Sequence, residues 1–288
     1  MITLVSKVQY QSFEEGEFKD IEYRSLPETW QFIQQFPWED QRNNFVVKLT
    51  SPSVTIEQND NSYLKIGMYH YGKFIAYYLN KRSKLFFVIF DELSEIETLV
   101  KLFFENKIQE IKWRKYFEWV FYKKKHFVTN TFEYKLKLAS MLRLQSLDLI
   151  CLAFLLVIGV SHIPIMENVS CLLIFYLVFF GVNWLLFCNY YFFTQKQYLQ
   201  ISRCNDEFYF GKAGSIVCYN KKDIDNIVTI SNSGIRIPWG NYYLFIIKFK
   251  NGTSIKFTNM LIDAFSFDFK FPNHCICQQS KYIPFVKY

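Results

Sequence analysis

The chain has 288 residues, 51% of them hydrophobic and 20% aromatic, with a formal net charge of +7 and a pI near 8.9. That apolar content excludes a disordered chain and is enough for two modest folded units. A mean hydropathy of only +0.01 means that the apolar residues are concentrated in particular segments.

Cysteine usage implies no disulfide framework. The seven cysteines are odd in number, and Cys151, Cys171 and Cys188 fall inside one apolar stretch, where a thiol behaves as a small hydrophobe. Abundant Phe, Ile, Lys, Asn and Tyr beside 10 Gly and 7 Pro suggest AT-rich, bacterial coding. The start, "MITLVSKVQYQSFEEGEF", lacks a basic region followed by a long apolar one and is not expected to be a signal peptide.

"SLPETWQFIQQFPW" predicts a short amphipathic helix. Ser25 and Glu28 have capping-box spacing, Pro27 suits the first turn, Trp30, Ile33 and Phe36 share a face, and Pro37 stops it. "NFVVKLT", "SVTIEQ", "SYLKIGMYH", "KFIAYYLN" and "KLFFVIF" then follow closely between turn residues, the rhythm of an antiparallel meander. "DELSEIETLVKLFFEN" predicts a second helix, with a capping box at Ser94 and Glu97 and a stripe of Ile96, Leu99, Val100 and Phe103. Residues 1–138 are therefore expected to form a cytoplasmic α+β domain with an antiparallel sheet.

The tail of that domain is basic and aromatic. Lys112, Arg114, Lys115, Lys123, Lys124, Lys125, Lys135, Lys137 and Arg143 are interleaved with Trp113, Tyr116, Phe117, Trp119, Phe121 and Tyr122. Ahead of an apolar segment these residues suit the anionic cytoplasmic leaflet of a membrane, where each cation near the surface contributes about 1 kcal/mol. Nucleic acid would use the same charges and is disfavoured by this position. A solvated face with a positive-inside bias is the plainer alternative.

Residues 147–194 explain the concentrated apolar content. From Leu149 to Met166 no side chain carries a fixed charge, and roughly 18 helical residues reach about 27 Å, close to the hydrocarbon thickness. A second uncharged run follows Glu167 and ends in Tyr190, Tyr191, Phe192 and Phe193, an interfacial belt. The expectation is a transmembrane helical hairpin, with spans at about 148–165 and 170–193 joined by the turn "SHIPIMENVS". Lys and Arg flank both spans and are missing from the turn, which places both termini in the cytoplasm of a bacterium as a multi-pass inner-membrane protein. Asn183 is an amide available to a neighbouring helix.

Residues 196–288 hold six or seven short strand-like runs, among them "QYLQISR", "EFYFG", "SIVCYN", "IDNIVTI", "YYLFIIKFK" and "TSIKFT", and predict a small antiparallel barrel or sandwich. Phe245, Ile247, Phe249, Ile255 and Phe257 alternate inward, with Lys256 outward. Two apolar helices followed by "YLQISRCNDEFYF", "IVCYNKKDIDNIVTI" and "YYLFIIKFKNGTSIKFTNMLID" is an order that resembles the bacterial pleckstrin-homology-like membrane proteins, over residues 147–270. The resemblance implies a PH-like β-domain after a membrane hairpin and a C-terminal helix closing the barrel, for which Met260–Phe265 is the available segment. Pleckstrin-homology domains that bind inositides carry basic residues between their first two strands. Here Cys204–Glu207 holds two acids and no lysine, which disfavours inositide binding.

No catalytic motif is present. His70, His126, His162 and His274 lack an acid–base partner at recognisable spacing, and His274-Cys275-Ile276-Cys277 falls short of the four ligands a zinc site needs. No catalytic residue, cofactor or metal is therefore expected. The expected function is a non-enzymatic inner-membrane protein that presents two cytoplasmic β-rich modules to an unidentified protein partner, a second copy of the chain being one candidate. The alternatives are a membrane-embedded immunity protein that neutralises a toxin, and an enzyme without a recognisable motif.

Overall fold

The computed structural model describes residues 2–42, 46–116, 123–161, 166–232, 239–272 and 274–287. It divides the chain into two units, Met1–Thr131 and Phe132–Tyr288. In the first, strands β1 (Thr3–Gln9), β2 (Lys19–Ser25), β3 (Ser53–Glu57), β4 (Tyr63–Met68), β5 (Phe74–Leu79), β6 (Leu85–Phe90) and β7 (Arg114–Lys115) make one antiparallel sheet in the order β2-β1-β3-β4-β5-β6-β7. Helices α1 (Leu26–Gln35) and α2 (Ser94–Phe104) contribute Ile33, Ile96, Leu99, Val100 and Phe103 to a core shared with Leu4, Val8, Val54, Ile56, Leu64, Ile66 and Ala76 of the sheet. The alternate residues of the same strands, Tyr63, Ile75, Tyr77 and Leu85, join Leu49 and Phe127 in a second cluster. All six residues of β4 are buried, as a strand covered on both faces must be.

Local signals account for most of these elements. At the start of α1, the Glu28 carboxylate accepts from both the backbone N–H and the hydroxyl of Ser25, at 2.7 Å each. The segments from "SVTIEQ" to "KLFFVIF" form the meander β3 to β6. Two expectations are corrected. In "NFVVKLT", residues 44 and 45 lie outside those described and 46–50 form irregular chain and a turn, because Leu49 reaches its core from a turn that Ser51 closes by bonding Lys48. No capping box forms at Ser94, which is itself the first helical residue, and its hydroxyl donates outward to Glu92 at 3.2 Å.

The second unit opens with β8 (Glu133–Lys135), ahead of helices α3 (Leu138–Ser161) and α4 (Met166–Thr194). Strands β9 (Gln197–Gln200), β10 (Glu207–Lys212), β11 (Ser215–Asn220), β12 (Ile224–Ser231), β13 (Leu244–Phe249), β14 (Ser254–Thr258) and β15 (Ile276–Ser280) follow, with helix α5 (Ala264–Phe269) between the last two. One sheet has the order β11-β10-β9-β8 and the other β14-β13-β12-β15, in which β12 and β15 run parallel. Leu199, Ile201 and Phe208 of the first sheet pack with Ile227, Phe245, Ile247, Phe249, Ile255 and Phe257 of the second. The closing helix is α5, later than Met260–Phe265, and it sends Phe267 into that core, 4.1 Å from the Phe245 ring.

Sequence reading placed the domain boundaries at 138 and 196. The structure puts residues 132–288 in one unit because β8, on the far side of both helices, pairs with β9 through Glu133–Gln200, Tyr134–Leu199 and Lys135–Tyr198. The outer face of the second sheet is also covered. Val228, Ile230, Leu244 and Met260 pack against Leu144 of α3, Leu186 and Tyr190 of α4, and Val286 of the C-terminal tail.

Among the described residues, no single helix is long and apolar enough to cross a membrane. Leu138–Ser146 and Asp148–Leu155 pass that test only together, across a 62° bend. The bend falls where Gln145 and Asp148 turn toward α4. His162 and Pro164 of the expected turn lie outside the described residues.

Candidate functional site

The root of the α3–α4 pair is a buried polar cluster. Asn183 donates through Nδ2 to Asp148 Oδ2 at 2.5 Å and to Gln145 Oε1 at 3.3 Å. Gln145 donates to the Tyr242 hydroxyl, which donates to the Asn183 carbonyl, both at 3.4 Å. All four residues are buried, and Asp148 Oδ1 and Asn183 Oδ1 have no hydrogen-bond partner. Sequence reading marked Asn183 and overlooked Asp148, whose single charge at the edge of a long apolar run was the available signal.

Nearly two helical turns further along α4, Asn189 accepts from the backbone N–H of Val286 at 2.9 Å and donates to its carbonyl at 3.2 Å, while Tyr190 donates to the Pro284 carbonyl at 2.9 Å. Thr194 meets Thr258 of β14 at 2.7 Å. The helices are thus hydrogen-bonded into the β-module along the last third of α4.

Around the loop between β9 and β10 of the same unit, the neighbouring lysines are committed elsewhere. Lys221 is buried and donates to the carbonyls of Ser202, Arg203 and Lys270 at 2.6, 2.8 and 3.1 Å, which uses all three ammonium hydrogens. Lys222 pairs with Asp206 at 2.6 Å, and the Arg203 guanidinium lies 4.2 Å from the Phe269 ring centroid. A phosphate approaching this loop finds Asp206 and Glu207 exposed and its nearest lysines already bonded.

The expected basic residues divide between the units. Exposed Lys112, Arg114 and Lys115 lie at or beside the edge strand β7. Lys123, Lys124 and Lys125 occupy the short helical turn Lys123–His126, where Lys124 and Lys125 are exposed. Lys135, Lys137 and Arg143 belong to the second unit, at β8 and the start of α3. Of the interleaved aromatics, Trp113 packs on the first core and Tyr116 on the second cluster, while Phe117, Trp119, Phe121 and Tyr122 lie outside the described residues.

The first unit holds a polar row that sequence reading did not find. Lys7, Thr55 and Lys65 are cross-strand neighbours on β1, β3 and β4, and all three are buried. Lys65 donates to Gln9 Oε1 at 2.7 Å and to the His126 carbonyl at 3.1 Å, and Lys7 pairs with Glu57 at 3.3 Å. Burial, with the Lys7 charge adding to it, pulls the Lys65 amine down to about 7. His126 has a carboxylate partner after all, Glu15 at 3.6 Å, hidden from sequence reading by their separation along the chain. His70 is exposed, and His274 faces the Lys221 carbonyl at 3.1 Å. Among the described residues, no group of three His, Cys, Asp or Glu side chains converges as metal ligands would.

Residues 132–270 match a family model described as a PH domain. No curated protein and no solved structure matches the chain. The chain is accordingly a mixed α+β protein with antiparallel sheets whose second unit contains a PH-like domain.

Proposed function

We propose that the chain is a non-enzymatic bacterial inner-membrane protein, anchored by the α3–α4 hairpin, whose PH-like module and N-terminal α+β unit bind a protein partner at the cytoplasmic surface. One observation carries the membrane reading. Along both helices large apolar side chains stand exposed, including Ile150, Phe154 and Val157 of α3 and Ile174, Leu177, Val178 and Leu185 of α4, with Val178 at 69%. A surface of this kind is unfavourable in water and matched in hydrocarbon.

The roots of the same helices behave differently, since Leu144, Leu186 and Tyr190 are buried against the β-module. Bare apolar side chains on helices whose Leu144, Leu186 and Tyr190 are held by the β-module suit a hairpin entering a bilayer from a module resting on its surface. The PH-like fold supports a binding role, and the exposed acids Asp206 and Glu207 with the commitment of Lys221 and Lys222 argue against inositide recognition at the β9–β10 loop.

The test is topological. With alkaline phosphatase fused after Glu167 the reporter should be active, and with fusions after Asp91 or at Tyr288 it should be silent. Activity at Tyr288, or release of the chain from membranes by alkaline carbonate, overturns the reading.

A further inference from the structure

A groove of about 580 Å³ opens on the outer face of the first sheet of the second unit, where α4 ends. Its lining includes Lys135, Leu136, Lys196, Tyr198, Ala213 and Ile216. Its floor is a single cross-strand row in which Lys135 faces Tyr198, Tyr198 faces Gly211 and Gly211 faces Ile216. Gly211 in that row cannot be anything else, since the β11 backbone closes on it and a Cβ there would meet the Ser215 carbonyl oxygen at 2.1 Å. The Ala213 backbone N–H donates to the Lys196 carbonyl at 3.3 Å, holding the β10–β11 tip against the second residue past α4.

The groove has two chemically distinct sides. One is cationic and aromatic, with the Lys135 ammonium 5.1 Å from the Tyr198 ring centroid. The other is apolar, and Ile216 is 49% exposed there on an edge strand. Glu133 also lines the groove and pairs with Lys135 at 3.2 Å, so the surplus cation is Lys196, which has no ion pair among the described residues. One surplus positive charge beside an apolar wall matches a lipid of net charge −1, whose phosphodiester is not offset by a cation in its own headgroup.

We infer that this groove receives the headgroup of an anionic glycerophospholipid, with Lys196 on the phosphate and Ile216, Ala213 and Leu136 against the glycerol and first acyl carbons. The inference rests on the membrane reading above, because only there does the end of α4 lie at the level of the headgroups. It is a different place from the β9–β10 loop, whose nearby lysines are already committed. A volume of this size lies within the ordinary range of small-ligand sites.

The experiment uses the full chain in detergent, titrated with phosphatidylglycerol or phosphatidylcholine and observed by native mass spectrometry. Phosphatidylglycerol should be retained in preference to phosphatidylcholine. Lys196→Gln should abolish that preference, and Ile216→Glu should abolish retention itself, both being exposed positions whose replacement leaves the core untouched. Equal retention of the two lipids, unchanged behaviour of both variants, or complete displacement by free glycerol phosphate overturns the proposal, the last by making the site one for a soluble phosphate. Carbonate extraction of vesicle-reconstituted chain judges the membrane reading separately, so failure of the anchor and failure of the groove give different results.

Discussion

Asn183 on α4 and Asp148 on α3 are 35 positions apart and share a 2.5 Å hydrogen bond, with Gln145 as the amide's second acceptor at 3.3 Å. Both residues are buried, so removing one strands the other. Asn183→Leu is expected to destabilise the helix pair by about 1–3 kcal/mol. The double variant Asp148→Leu with Asn183→Leu should be less damaging than the sum of its parts. Thermal unfolding of the full chain in detergent measures both, and strict additivity would mean that the bond carries no coupling.

Lys65 makes the first unit sensitive to alkali in a definite direction. The unfolded amine keeps its proton to about 10.5, whereas burial lets the folded amine lose it above about 7. Between those values the unfolded state binds more protons, so stability rises with pH across the window; below about 7 this group contributes no slope. Lys7 and Glu15 carry the nearby charges that act on it, and Glu57 and His126 lie beside them. Amide-exchange protection of β3 to β5, corrected for intrinsic rates, should therefore increase from neutral to alkaline pH, and Lys65→Met should flatten that increase. An equal rise in the variant would assign the effect to its neighbours.

Lys221 ties two separate segments, Ser202–Arg203 and Lys270, through three carbonyls. Replacing it with Met leaves those acceptors without their donor and is expected to cost about 3 kcal/mol. Lys222→Met, beside it, breaks only an exposed pair with Asp206 and should change stability by no more than about 0.5 kcal/mol. Melting temperatures of the two variants that coincide would remove the structural role given to Lys221.

Phe267 anchors a helix of only six residues. It is buried, stacked on Phe245 at 4.1 Å and in edge contact with Phe257 at 5.6 Å. Phe267→Ala should destabilise the PH-like unit by about 3–5 kcal/mol, while Lys256→Ala on the exposed side of β14 should be silent within about 0.5 kcal/mol. Calorimetry that finds both variants alike would show that α5 does not close the core.

The features legible in the sequence are those written over short distances. The Ser25–Glu28 capping box, the alternation in β13 and β14, and the tight meander from β3 to β6 each depend on residues within one element or across one turn, where the 3.6- and 2-residue periods act. The apolar stretch from 147 to 194 is of the same kind, since composition alone marks it. The strands β1 and β2 escaped because "TLVSKVQ" and "KDIEYRS" mix buried and exposed charge, and Lys7 sits inside only because Glu57 pairs with it across the sheet.

Tertiary structure decided the rest, for one physical reason. Which distant segments pair depends on the total burial and hydrogen bonding of the finished sheet, and no window of the chain contains that sum. Thus β8 lies before both helices yet completes a sheet with β9, and β15 runs parallel to β12 after a helix has intervened. Asp148 meets Asn183 only when two helices are rooted together, and Lys135, Lys196 and Ile216, spread over 81 positions of the sequence, become one groove because the β10–β11 tip folds back against the end of α4.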